Sequence, residues 1–467
     1  NMKNDRYLTS NEKALPLARE LFAQMNKWPI ISPHGHVAAE LILENKQFSN
    51  PVELLIKPDH YLTRMLFSQG ISYETLDLPN QSAVVKGISP QEIWRIFAKN
   101  WKLFRGTPSR IWFQEILSKF FEIDEILNEV NADAIYEKIS IVLAQPEFRP
   151  QHLLNQFNIE VLATTDSTSS DLQAHRKLLE LDLNTRIIPT FRPDDVSDPL
   201  RKDWRQSIKD LSTITGVEIA TFKNLLSALR LQRNRFSELG GTATDHGVLS
   251  ANCISASDFE KERLFKELIS GNSISPSAAA NFSAIMLFEH AKMSAEDGLV
   301  MQIHPGAVRN FDQDIFNTYG ADRGFDIPLA ITFTKELQAV LNAFGKSRDF
   351  RLVLFTLDES TYSRELAPIA GVYPSVRIGP PWWFLDSLNG MRRWRDLVTE
   401  TAGFYNTVGF IDDTRAFCSI PVRHDLARRF DSGYLAEQVI HKRITEFEAY
   451  ELADQISYHL SQNFYRL

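Results

Sequence analysis

What most constrains this chain is a rhythm: a short apolar run that stops abruptly in a polar or charged cluster, repeated eight times. Pro29-Ile30-Ile31-Ser32 runs into Pro33-His34-Gly35-His36, Ile159–Ala163 into Thr164-Thr165-Asp166, and Arg186–Thr190 into Phe191-Arg192-Pro193-Asp194. A weaker run, Gly241–Thr244, meets Asp245-His246-Gly247, and Leu299–Ile303 meets His304-Pro305-Gly306. Arg351–Phe355 leads to Thr356-Leu357-Asp358, Ser375–Ile378 to Gly379-Pro380-Pro381-Trp382-Trp383, and Thr407–Ile411 to Asp412-Asp413-Thr414-Arg415. The runs lack strict alternation, as expected of parallel strands covered on both faces. Helical stretches separate most of them. From Ser275 to Gly298, a capping serine, a proline in the first turn and apolar residues at helical spacing predict one helix. Strand–helix alternation of this kind predicts an α/β protein, a (β/α)8 barrel whose strand C-termini build the active site.

One interval is too long for a single crossover. Between His36 and Ile159 the sequence carries helix-like pieces such as 89–101 and 110–130, read as a helical insertion after the first strand that walls the barrel mouth. The expected organisation is therefore an N-terminal helix and first strand over 1–36, the insertion over 37–155, and the rest of the barrel with C-terminal helices over 156–467. Residues 434–467 also read as helical and carry many aromatics.

Composition excludes several classes. Of 467 residues, 51 are Lys or Arg and 59 Asp or Glu, so the net charge of −8 leaves no basic surplus for nucleic acid. The two cysteines, Cys253 and Cys418, are too few for a disulfide framework, and a reducing, cytoplasmic setting is expected. The N-terminus shows no signal-peptide pattern, and no apolar stretch approaches the ~18–20 residues of a membrane span, so no membrane partner is expected.

Chemistry concentrates at the run ends. His34 and His36 are spaced to share one face of an extended segment, which suits two ligands of one metal, although two surface or hydrogen-bonded histidines would read the same. Asp413 ends the eighth run, beside the first in a closed barrel; it could complete such a site and act as a base, or with Asp412 merely cap the next turn. His304 is a third ligand, a substrate donor or a core histidine, and Asp245-His246 a supporting pair or a structural turn. Arg64, Arg192, Arg309 and Arg415 offer guanidinium forks for an anionic substrate, or simply solvated charges. Trp382-Trp383 is an apolar wall or core. No GxGxxG after a strand, GxxxxGK[ST] or GxSxG occurs, so nucleotide and serine-hydrolase chemistries lose their usual support.

Taken together, His34-Gly35-His36, Asp59-His60-Tyr61-Leu62-Thr63-Arg64, Ala163–Asp166, Pro189–Asp194, Asp245-His246-Gly247, Met301–His304, Gly306–Asn310, Trp382–Asp386 and Asp413-Thr414-Arg415 resemble the motifs of uronate (glucuronate) isomerase, in order along nearly the whole chain. The resemblance implies a distorted (β/α)8 barrel of the metal-dependent hydrolase type, in the amidohydrolase superfamily. It also implies a reaction interconverting D-glucuronate with D-fructuronate and D-galacturonate with D-tagaturonate. It implies one divalent ion, zinc first, on His34, His36 and Asp413; catalytic roles for Asp413, Tyr61 and Arg415; and a sugar acid bound by His60, Arg192, His304, Arg309 and Trp382. An assembly of identical subunits would accord with it. The sequence departs from the family pattern at Pro305, after His304, and at Ser167, after Asp166.

The expected mechanism removes the C2 proton with the help of Asp413, passes through a cis-enediol whose oxygens are served by Tyr61 or Arg415, and reprotonates C1. Two rivals stand beside it. One is a mononuclear hydrolase of the same superfamily in which Asp413 activates water; the other is a sugar-acid-binding relative without turnover. Asp245-His246 and Thr356-Leu357-Asp358, where many hydrolases place a lysine and a further histidine, disfavour a two-metal site.

Overall fold

Each apolar run is short, so each strand is short. The computed structural model describes residues 3–81 and 87–467; Asn1 and Met2, where the N-terminal reading begins, lie outside the described residues. In chain order the strands are β1 (Ile30–Ser32), β2 (Ile159–Ala163), β3 (Asp166–Ser167), β4 (Arg186–Ile188), β5 (Phe191–Arg192), β6 (Ala243–His246), β7 (Val300–Ile303), β8 (Ala307–Val308), β9 (Ile327–Pro328), β10 (Leu352–Leu354) and β11 (Val376–Ile378). All pairings among the barrel strands are parallel: β1-β2-β4 in one sheet and β3-β5-β6-β7-β10-β11 in the other. The two sheets are one surface, because β2 continues into β3 and β4 into β5 across kinks at Thr164-Thr165 and Pro189-Thr190. Thr164 N donates to Ile188 O (2.9 Å) and Asp166 N to Thr190 O (2.9 Å), carrying the ladder through the kinks. Only β8 and β9 stand apart, as an antiparallel hairpin beyond the fifth barrel strand.

The eighth run does not form a strand. It reaches the sheet through a single parallel bridge, Ile378 to Thr407. The backbone turns left-handed at Gly409 (φ 79°) and Asp413 (φ 46°), which no ladder accommodates. Its carbonyls turn to the C-terminal helices, where Ser461 Oγ donates to Val408 O. The barrel still closes beyond it: Ser32 Oγ donates to Asp412 Oδ2 (2.7 Å), and His36 N donates to Thr414 O (3.1 Å).

The predicted helix over 275–298 is observed as Pro276–Asp297, with Ser275 Oγ accepting from Ala278 N. The piece read over 110–130 stops early: the helix is Pro108–Phe121, ended by Glu122 in a left-handed turn. Between β1 and β2 every described element is a helix. Their aromatic faces, including Trp94, Phe97, Trp101, Phe104 and Trp112, share one core with Ile30 and Ile159 of the barrel and Phe417 and Phe430 beyond it. Burying such side chains is worth roughly 1.5–3 kcal/mol each, so these helices are fixed to the barrel flank. At the opposite end of the barrel from the polar clusters, Tyr465 is fully buried and its hydroxyl donates to Gln302 Oε1 on β7 (2.8 Å). Gln302 Nε2 in turn donates to Thr244 O (3.3 Å), so the last residues form a floor. Both cysteines are buried and unpaired, and among the described residues no helix is long and apolar enough to cross a membrane.

Candidate active site

The strand ends bring His34, His36, Arg192, His304, Trp382, Asp413 and Arg415 to one end of the barrel. His34 and His36 leave β1, and Asp413 leaves the last run. Asp413 Oδ1 lies 2.8 Å from His36 Nε2 and 3.2 Å from His34 Nε2. One ligand atom from each of the three falls within 4.8 Å of the others, and no other such trio of His, Cys, Asp or Glu converges among the described residues. These residues fit a divalent ion. Asp413 Oδ1 is buried without a hydrogen bond although two imidazole nitrogens face it, the pattern of lone pairs aimed at a common point. Ligands bonded to zinc at ~2.0–2.2 Å would stand roughly 3.3 Å apart, close to the separations seen.

Electrostatics around the trio are sharply graded. Burial pulls the Asp413 carboxyl up, but His36 and His34 outweigh it and hold it well below the usual range. Burial lowers His36 despite Asp413, whereas at His34 the charges of Asp245 and Asp413 overcome burial and raise it. The strained φ of Asp413 is held by its neighbours. Asp412 is not a turn cap: it is buried, with Ser32 Oγ and His424 Nε2 both on Oδ2 at 2.7 and 2.8 Å, and so pins the segment that presents Asp413.

Asp245 lies within β6 rather than after it, and the alternation of a strand separates it from its neighbours. Thr244 and His246 share the other face, Oγ1 to Nε2 2.9 Å, and His246 meets His290 of the helix Pro276–Asp297 at a ring distance of 5.0 Å. Asp245 is wholly buried, 2.9 Å from His304 Nε2, 3.4 Å from an Arg192 guanidinium nitrogen and 3.8 Å from His34 Nδ1. Burial opposes its charge, but His304, His34 and Arg192 together keep it ionised. Arg192 is held from its other side by Asp194 (Nε to Oδ2 2.8 Å), which also accepts from Gly247 N (3.1 Å). Trp382 lies under the histidines, 4.6 Å from the His34 ring and 5.7 Å from that of His304, and stacks on Phe355 at 3.6 Å. It is buried and forms a wall.

His60 and Tyr61 come from the insertion. They open the helix His60–Phe67, where Asp59 Oδ1 accepts from Tyr61 N (2.9 Å). Burial lowers His60 to about 4, with Arg415 pushing the same way, and drives the Tyr61 phenol far above its ordinary value. Both are neutral. Arg64 instead turns over the Phe384 ring (5.1 Å), and Arg309, after β8, pairs with Asp326 (3.1 Å) and faces Trp383 (5.8 Å). Arg415 pairs with Asp322 (3.1 Å). Asp322, Asp326 and Arg423 were not evident from the sequence, because none lies at a run end; Asp386, which closes the Trp382–Asp386 motif, pairs with the buried Arg423 at 2.5 Å.

A parallel barrel whose first strand supplies two histidines and whose last segment supplies an aspartate, converging at the strand ends, is a distorted (β/α)8 barrel of the metal-dependent hydrolase type. A family model described as glucuronate isomerase matches residues 1–465. A uronate isomerase of Rhizobium meliloti (strain 1021) is 46% identical over 463 residues, 99% of this chain and 98% of the relative. The crystal structure of a glucuronate isomerase from Caulobacter crescentus superposes with a TM-score of 0.97 at 44% identity, covering 99% of this chain and 96% of that one. A uronate isomerase from Thermotoga maritima gives 0.92 at 30% identity, with 99% of each chain covered. The chain belongs to the glucuronate isomerase family.

Proposed function

We propose that the protein is an aldose–ketose isomerase interconverting D-glucuronate with D-fructuronate, and D-galacturonate with D-tagaturonate. The observation that carries this is the convergence of His34, His36 and Asp413 above Trp382, ringed by arginines from other strand ends, in a chain of this family. His34, His36 and Asp413 hold one divalent ion, zinc by the nitrogen and oxygen character of the set. When bound, the ion supplies Lewis-acid polarisation of a substrate oxygen.

The protein groups do the proton work. Asp413 is ionised and accepts the C2 proton of the open-chain uronate. Tyr61, kept protonated by burial, gives its phenolic proton to O1 as the cis-enediol forms, and recovers one from O2 as that oxygen becomes the ketone. The proton on Asp413 exchanges with solvent while the enediol persists, and Asp413 then delivers a proton to C1. The Arg415 guanidinium stabilises negative charge developing on the enediol oxygens. His60, His304, Arg192, Arg309 and Trp382 bind and orient the sugar acid, with Arg192 kept charged against burial by Asp194 and Asp245.

The test is proton NMR of D-glucuronate, then D-galacturonate, with metal-loaded protein in D2O. The expected result is a ketose carrying solvent deuterium at C1. No conversion of either sugar acid by protein with metal bound would sink the reading and put the hydrolase forward. Metal content is a separate check: elemental analysis is expected to give one zinc per chain, and His36→Ala to lose most of it while the circular dichroism stays unchanged. A second zinc per chain would contradict the single site.

The same reading extends to organisation and setting. The helices of 37–155 form a lid and wall over a barrel made of 1–36 and 156–467, supported by the core they share. Two buried, unpaired thiols suit a reducing cytoplasm. An assembly of identical subunits is expected, and light scattering of the purified protein tests it.

A further inference from the structure

Arg415 makes one ion pair among the described residues, with Asp322 at 3.1 Å, and both side chains are more than a third exposed (38% and 39%). A pair so exposed adds little to stability. Nor does the loop that carries Asp322 need it. Tyr73 Oη donates to Arg323 O (2.5 Å), Asn310 N donates to Asp326 Oδ1 (2.7 Å), and Phe311 N donates to Phe325 O (2.8 Å). Phe325 packs edge-on against Phe67 at 5.2 Å and Tyr73 at 6.2 Å. The backbone at Gly324 lies so flat on the helix His60–Phe67 that a Cβ there would come within 2.6 Å of Arg64 Cβ. Asp322 itself is left-handed (φ 64°), a conformation costly for most side chains. A loop clamped on several sides, with a strained aspartate at its tip, thus presents one carboxylate to the Arg415 guanidinium.

We propose that Asp322 is a positioning residue: through its ion pair it holds the Arg415 guanidinium in the orientation the isomerisation needs, and ties that orientation to the helix carrying His60 and Tyr61. The inference rests on the isomerase reading above. It makes the excursion between β8 and β9, which supplies no residue to the metal cluster, part of the catalytic frame. Arg415 first, and Arg309 beyond it, keep Asp322 ionised against burial.

The test is a double-mutant cycle on metal-loaded protein with Asp322→Asn, Arg415→Lys and both together. Asparagine tolerates the left-handed backbone, so the loop is preserved. Asp322→Asn is expected to lower kcat about tenfold to 50-fold, the scale of a displaced catalytic group, with KM within about threefold. Melting temperature and zinc content should be unchanged. In the Arg415→Lys background the same change should cost less than about twofold, because the residue it acts through is already altered. A crystal structure of Asp322→Asn should show the Arg415 guanidinium moved or split between rotamers. Unchanged kcat in Asp322→Asn, multiplicative losses in the double variant, or an unmoved Arg415 would each overturn the proposal. If the unaltered protein converts neither sugar acid, the isomerase reading falls, and the position of Arg415 in the variant crystal still decides the positioning claim.

Discussion

Asp413→Asn is expected to abolish isomerisation, lowering kcat by about 10³–10⁴-fold, because on the proposed mechanism the change removes the group that takes the C2 proton and delivers one to C1. Asparagine keeps the size and an oxygen near His34 and His36, so the loss would be chemical rather than steric. Asp413 is also the one anionic member of the proposed ligand trio, and a neutral amide holds a divalent ion less well. Weaker zinc retention should follow. Two readouts separate the effects. Elemental analysis reports the metal, and exchange of the C2 proton of D-glucuronate into D2O reports the base in zinc-saturated buffer. Full turnover by Asp413→Asn with metal bound would show that another group takes the proton.

Gly247→Ala should also be strongly damaging, although the residue has no side chain to lose. A Cβ at this position would lie 2.4 Å from an Arg192 terminal nitrogen, 2.8 Å from His304 Cε1 and 3.1 Å from Asp194 Oδ2. An arginine tip can usually swing aside, but this one is held by Asp194 at 2.8 Å and Asp245 at 3.4 Å. His304 is held by Asp245 at 2.9 Å. The added methyl must therefore break a pair or push the backbone, at roughly 1–3 kcal/mol for overpacking. Both residues placed against the sugar acid move, so kcat/KM is expected to fall about 10²-fold. A melt by circular dichroism should show a drop of a few degrees. Wild-type kcat/KM in this variant would mean that Arg192 and His304 do not need their observed positions.

The barrel was legible because each strand is a self-contained signal. Val300–Ile303 is apolar but for Gln302 and wholly buried, and the cluster that follows marks its end. The eighth strand misled because Thr407–Ile411 has the same composition, yet its partners are Ser461 and the C-terminal helices rather than a strand ladder. The convergence of His34, His36 and Asp413 was readable since closure of any eight-fold barrel juxtaposes its first and last strands. Asp245 could be suspected but not assigned: whether it or His246 faces the lumen depends on where β6 begins, and a shift of one residue would exchange them. Asp322 left no trace in the sequence. It sits in a loop far from any run end, and only the packing of that loop on the helix His60–Phe67 aims it at Arg415.

The floor of the barrel has a bearing on how the chain comes into being. Synthesis delivers β1 early, yet its closing partner at Asp412 follows 380 residues later, and Tyr465, which fills the barrel beneath Gln302, later still. Until that tyrosine has cleared the ribosome tunnel, β6 and β7 expose an amide and an apolar lumen with nothing to cover them. Completion of this barrel is then a late event, in which the helices of the insertion can gather on their own aromatic core while the strands wait for Tyr465. Nascent chains halted before the tail should accordingly remain open to proteases and chaperones at the strands, and resist them at the insertion.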